Sequence, residues 1–244
     1  MDLFNNEMVE LQNNDFSDNT GSSRSNAFYR GNTGAVSIGY YELNKTKLNP
    51  TVLMQDCEFR NNSVSVFQSE ASTSNAVVGS NIYKGRGGAL GIFLGDVFHN
   101  ITVQIRGCKF TDNKSVGSSG GCYVAYDGTD VYHNVTVMDS TFENGQAGKR
   151  GGGILFAFIS TGNQNYPMLA TVFGCNFTNN TASSGSAISV TPVIITDTAG
   201  MLVTLKSCRF HCNKAEGFGG AVRFIVFDFF SERILLHKHI IEDW

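Results

Sequence analysis

Proline is scarce in this chain, three residues in 244, and tryptophan occurs once. Charge is sparse too: 16% of the residues are Asp, Glu, Lys or Arg, and the net charge is −3. That composition is unlike a disordered tail. No long basic or acidic run is present, which argues against nucleic acid or an anionic membrane as partner. No stretch reaches the ~20 apolar residues that a membrane-spanning helix needs. Met1 to Leu11 has neither the basic start nor the apolar run of a secretory signal. Both ends read as the ends of a fragment, so the expectation is a piece of a longer repeat protein. No Cys-x-x-Cys pairs with His at zinc spacing, so a zinc finger is not indicated. What is present is 41% hydrophobic residues, 27 Gly, 19 Phe and abundant Asn. Many turn formers with few prolines suit tight, repeated corners built on Gly and Asn.

One pattern recurs six times, a Phe followed three residues later by Asn: Phe16-Asn19, Phe59-Asn62, Phe110-Asn113, Phe142-Gly145, Phe177-Asn180 and Phe210-Asn213. The first two gaps between anchors are 43 and 51 residues, and the next three are 32, 35 and 33. Seven residues before the Phe stand Val9, Val52, Val103, Val135, Ala170 and Val203; five before it stand Leu11, Met54, Ile105, Val137, Val172 and Leu205. Alternation of period two with one apolar face reads as a strand. Three before the Phe come Asn13, Asp56, Gly107, Asp139, Gly174 and Ser207, types that tolerate a bend and positive φ. The inward parity then flips, because Cys57, Cys108, Ser140, Cys175 and Cys208 lie two before the Phe. The Asn column, with Gly145 its exception, reads as a left-handed corner whose side chains bond along the axis as a ladder. A Gly-led strand follows, and the position after the glycines is small: Ala35, Ala89, Cys122, Gly153, Ala187 and Ala221.

The fold class is therefore all-β, a right-handed parallel β-helix (solenoid) of about six coils with three strands per coil. It is expected to fill residues 1–227, with 228–244 as a non-repeat C-terminal tail or cap. The paired Gly-Gly-Ala-Leu and Phe-x-x-Asn motifs resemble the repeats of chlamydial polymorphic outer membrane proteins and of pectin-lyase-like right-handed β-helix proteins, over about residues 9–224. The chlamydial resemblance implies surface display and adhesion.

Seven Asn-x-Ser/Thr sequons occur. Asn100 and Asn134 open strands in related loops and are the better acceptors; Asn44 and Asn61 are further candidates. Glycans there fit a secreted or cell-surface protein. Same-column cysteines on consecutive coils, Cys57 with Cys108 and Cys175 with Cys208, fall inside disulfide range. A buried ladder of free thiols is the other reading of that column.

Among activities that the pectin-lyase resemblance implies, the Asn-Thr-Asp, Asp-Asp, Gly-His-Gly and Arg-Ile-Lys segments of the polygalacturonase type are missing. The residual metal candidates are Asp96, Asp127 and Asp130, loop carboxylates that stacking would bring toward one Ca²⁺; turn chemistry is the simpler account of the Asp127-Gly128 pair. Arg86 and Arg150 share a position before the glycines, two coils apart, and suit a carboxylate sugar or plain solvated surface. Phe98, His99, Tyr132 and His133 recur along one edge, where rings stack on sugars or tuck under their own loops. The expected partner is an extracellular glycan or protein, without nucleic acid, membrane span or cofactor. The expected role is a non-catalytic scaffold for adhesion or recognition. The alternative is a polysaccharide lyase or hydrolase with an unrecognised site.

Overall fold

The computed structural model describes residues 2–4, 8–23, 33–40, 50–66, 86–95, 100–127, 133–159, 168–194, 201–224, 233–237 and 240–242. These contain strands and no helix, arranged as four parallel sheets, three of seven strands and one of six. The first wall holds Met8–Gln12, Thr51–Gln55, Thr102–Arg106, Asn134–Met138, Met168–Phe173, Met201–Lys206 and Arg233–His237. The second holds Asp15–Ser17, Glu58–Arg60, Lys109–Thr111, Thr141–Glu143, Asn176–Thr178, Arg209–His211 and Ile240–Glu242. The third holds Thr20–Ser23, Ser63–Val66, Lys114–Ser115, Gln146–Arg150, Thr181–Ser184 and Lys214–Ala215. The fourth holds Asp2–Phe4, Val36–Tyr40, Leu90–Leu94, Cys122–Asp127, Ile154–Ile159, Ile188–Ile194 and Val222–Phe224. The chain is a parallel β-solenoid of six complete coils, numbered I to VI.

The coil has four strands rather than the three expected. The extra wall is the segment between the Asn column and the glycines. In coils III and VI it is two residues long, Lys114–Ser115 and Lys214–Ala215. So short a strand carries no readable alternation. The segment after 227, expected to lie off the repeat, pairs with coil VI: Arg233–His237 runs beside Leu202–Lys206, and Ile240–Glu242 beside Arg209–His211. By register Ile241 stands in the Phe column, with Ile234 and Leu236 in the two apolar columns before it.

Register places like on like. Val52, Val103 and Val135 pair in a row, as do Met54, Ile105 and Val137. The Phe residues form one continuous stack, with successive centroids 4.9, 4.7, 4.6, 5.0 and 5.2 Å apart and planes within 16°. Each interior Phe is fully buried, worth about 1.5–3 kcal/mol, and each stacked pair adds about 0.5–1.5 kcal/mol. That stack explains the small column opposite: a Cβ on Gly153 would lie 3.0 Å from Cδ1 of Phe177. Cys122 is not in that column. Its register partners are Leu90 and Ile154, and Gly121 takes the small place, where a Cβ would meet Phe142 at 3.0 Å.

The first bend is as expected: Asn13, Asp56, Gly107, Asp139, Gly174 and Ser207 all have φ between +49° and +63°. The second corner differs by one residue. The left-handed position belongs to Asp18, Asn61, Asp112, Asn144, Asn179 and Cys212, each just before the Asn column. The Asn column is instead a hydrogen-bond ladder. Asn19 and Asn62 each direct backbone N–H and Nδ2 to the next Oδ1, on Asn62 and Asn113, at 2.9–3.0 Å. Asn180 does the same to Asn213. Gly145 donates its N–H to Asn180 Oδ1 at 2.9 Å but has no side chain to return, which divides the ladder in two.

The cysteine column is a ladder of thiols, not disulfides. Cys57 donates to Leu11 O (3.3 Å) and Cys208 to Val172 O (3.5 Å). Ser140, in the same column, donates to Met138 O at 2.7 Å. Burial pushes the Cys108 and Cys175 thiols up to about 12.

Candidate functional site

A recess opens where the third wall turns into the fourth, over coil V. It has a volume of about 290 Å³ and is lined by Ser118, Gly148, Lys149, Arg150, Ser183, Ser184 and Arg223. A second hollow of about 350 Å³ adjoins it through Gly148 and Ser183, and adds Thr181, Lys214 and Glu216.

The cause of the recess is a length difference. The turn into the fourth wall is made at a left-handed residue: Ser119, Gly151, Gly185 and Gly219 in coils III to VI. From Asn180 to Gly185 the chain is one residue shorter than from Gly145 to Gly151 or from Asn213 to Gly219. Gln146 and Ala147 pair with Thr181 and Ala182, but Arg150 then pairs with Ser184, so coil IV carries a bulge against coil V. A bulge re-aims the side chains beside it. Coil VI regains the longer path, with Gly217 N–H bonded to Ser183 O at 2.9 Å. At this wall coil V thus takes the shorter path between two longer ones.

Two guanidinium groups flank this gap, Arg150 from coil IV and Arg223 from coil VI. Burial lowers the Arg150 pKa, and the positive charge of Arg223 lowers it further. Neither has an ion-pair partner among the described residues. The Arg223 guanidinium lies 5.4 Å from the ring centroid of Phe218, which is 74% exposed. Ser118 and Ser184 are buried in the recess wall, and Ser183 donates to Gly148 O at 2.8 Å. Paired cations and hydroxyls can hold an anion by charge-assisted hydrogen bonds.

Of the residues singled out in the sequence, Arg150 is in this recess and Arg86 is not. The shared column is real: Arg86 bridges to Ser118, which is followed in the column by Arg150. Yet Arg86 is 2% exposed, with its guanidinium 5.7 Å from the Phe93 centroid and 5.4 Å from that of Tyr123. In coils I to V the described side chains of the fourth-wall strands are buried on both faces, and Arg86 caps a second apolar cluster on the outer side, formed by Phe93, Tyr123, Ala125, Leu155 and Ala157. It is not a solvated surface residue.

His133 is likewise inside. It is level with Ile101, whose carbonyl accepts from Asn134, and shares the inward parity of Val135 and Val137. It is 1% exposed, and its ring nitrogens have no hydrogen-bond partner among the described residues. Burial lowers its pKa to about 4, so the ring is neutral.

Asp96, Asp130, Phe98, His99, Tyr132 and Asn44 lie outside the described residues. Asp127 ends a fourth-wall strand, and its side chain also lies outside them. Among the described residues no three of His, Cys, Asp and Glu gather as metal ligands. Asn100 is exposed and Asn134 half-buried, both at the head of first-wall strands, whereas Asn113 is buried in the ladder. Asn61 is exposed but takes the left-handed corner, and its amide donates to Asp18 at 2.6 Å.

Sequence reasoning missed Arg223 and the serines. The readable signal was the short Asn180–Gly185 spacing, which the columns contain but which has meaning only when coils are stacked. Searches against family models, curated proteins and solved structures returned no match.

Proposed function

We propose that this chain is a non-catalytic, extracellular or cell-surface β-solenoid that presents a recognition surface to a glycan or protein. One observation carries the reading: a rigid, internally bonded wall is interrupted by a recess holding two uncompensated guanidinium groups. A scaffold needs no such feature, since unpaired like charges held close together cost stability. A binding surface has use for it.

Two sequence features support the location. The repeats resemble the chlamydial polymorphic outer membrane proteins, a surface-displayed family, and the sequons at Asn100 and Asn134 fall where a first-wall strand begins. We assign Asn100 as a glycan acceptor on its exposure, with Asn134, Asn61 and Asn44 after it.

A pectin-lyase-like lyase is the second reading, favoured by one observation. The Arg150 pKa is lowered by burial and by Arg223, the direction that a guanidinium base requires. The deciding experiment exposes the protein to neutral and acidic polysaccharides with and without Ca²⁺ and measures both retardation and product. Retardation without new reducing ends or unsaturated products supports recognition. Unsaturated product that disappears in Arg150→Ala overturns it in favour of the lyase.

A further inference from the structure

We infer that the recess over coil V binds an acidic polysaccharide, with Arg150 and Arg223 holding a carboxylate or sulfate ester on one sugar and the exposed Phe218 stacking on its ring. The inference rests on the recognition role proposed above and adds its ligand class.

The charge is the first ground. Arg150 and Arg223 come from coils two steps apart, a rise of ~9.6 Å, and their side chains converge on one recess. Neither has a carboxylate within ion-pair distance among the described residues, and Glu216 lines the adjoining hollow, beside Lys214. An anion entering between them relieves their repulsion and offers both guanidinium forks acceptors.

The lining is the second ground. Ser118, Ser183 and Ser184 surround the cations, and Thr181 continues the hydroxyl surface into the adjoining hollow. Hydroxyls match a polyol. At about 290 Å³ the recess is at the lower end of small-ligand sites, ~300–1,000 Å³. The continuing hollow lets a chain run on along the axis.

Phe218 is the third. Among the described residues it is the most exposed of the large hydrophobics, 74% against 58% for Met8. It lies in the same column as Arg150, with Arg223 over its ring. An amphipathic sugar can rest a C–H face on such a ring while its charged substituent meets the guanidinium.

An acidic peptide fits less well. Peptides commonly add a strand to a free sheet edge, but the coil V strands here are paired on both sides, with coils IV and VI.

The test is affinity electrophoresis of the intact chain through gels containing polygalacturonate, dextran sulfate or neutral dextran, with poly-glutamate as a soluble competitor. Retardation by polygalacturonate alone assigns a carboxylate, by dextran sulfate alone a sulfate, and by both an anion of either kind. Neutral dextran should give none. Arg150→Ala and Arg223→Ala should each weaken binding roughly tenfold to a hundredfold, and Phe218→Ala should weaken it too. Arg150→Gln, which removes the charge but keeps a polar amide, should lose as much as Arg150→Ala. Lys109→Ala, which removes one charge on the second wall, should bind as wild type does.

Wild-type affinity in folded Arg150→Ala and Arg223→Ala overturns the assignment, as does an equal loss in Lys109→Ala. Displacement by poly-glutamate at matched charge overturns it in favour of a peptide. Retardation by neutral dextran alone overturns it while leaving the recognition role standing. No retardation in any gel overturns it and leaves a protein partner. Release of product removes the non-catalytic reading itself.

Discussion

Replacing Asn113 by Ala should destabilise the protein far more than the same change at Asn19, although both sit in one column. Asn113 is 1% exposed. Its Oδ1 accepts from the Asn62 backbone N–H at 2.9 Å and from Asn62 Nδ2 at 3.0 Å, and its own Nδ2 donates to Phe59 O at 2.8 Å. Asn113→Ala takes a partner from three buried polar groups at once. Each costs about 1–3 kcal/mol when left unmade. After allowing for the amide that no longer has to be buried, the loss should be about 3–4 kcal/mol. For a chain of this length that lowers Tm by roughly 10 °C. Asn19 lies in the first complete coil and is exposed. Its side chain only donates, to Asn62 Oδ1 and Ser17 O, and water replaces it. Asn19→Ala should cost less than about 1 kcal/mol. Urea and thermal unfolding followed by far-UV circular dichroism, on unglycosylated protein, give both values. Equal shifts in the two variants would refute the claim that the ladder stabilises by satisfying groups that water cannot reach.

Stability should fall between about pH 6.5 and pH 4, because the unfolded chain binds a proton at His133 near its ordinary pKa while the folded chain resists until about 4. The lowered folded pKa makes the contribution present above pH 6.5 and lost below it, by up to about 3 kcal/mol. Unfolding midpoints at pH 7 and pH 4.5 should converge in His133→Leu, which suits a column shared with Ile101. Thiol titration should find Cys212 alone reactive in the native protein and all six cysteines after denaturation, since the other five are buried; a second fast thiol would contradict the closed column. On secretion from eukaryotic cells, glycopeptide mass spectrometry should find Asn100 modified and Asn113 bare.

Much of the fold was legible because a parallel solenoid places each side chain against the equivalent residue of the next coil, about one strand spacing away. Chemistry that stacks well on itself then recurs in the chain. Phe on Phe, Asn on Asn and Val on Val gave the period, the inward faces and the number of coils. The first bend was legible for the same reason, since only residues tolerant of positive φ fill it. Even Ile241 was readable once an aliphatic residue is allowed in the Phe column.

Other features depend on neighbours rather than on repetition. Asn at the second corner satisfied both a left-handed turn and a ladder, and only the backbone shows that the turn belongs to the residue before. The thiol column admitted disulfides until the geometry showed each sulfur bonded to a carbonyl instead. Arg86 and His133 are polar residues at positions that the winding of the chain closes off from water. The recess is the clearest case. Arg150 and Arg223 are far apart in sequence, and the gap between them exists because the third-wall segment of coil V, Asn180 to Gly185, is one residue shorter than the matching segments on either side. Repetition fixes what each coil is made of; differences between adjacent coils decide where the surface opens, and those acquire a position only when the coils are stacked.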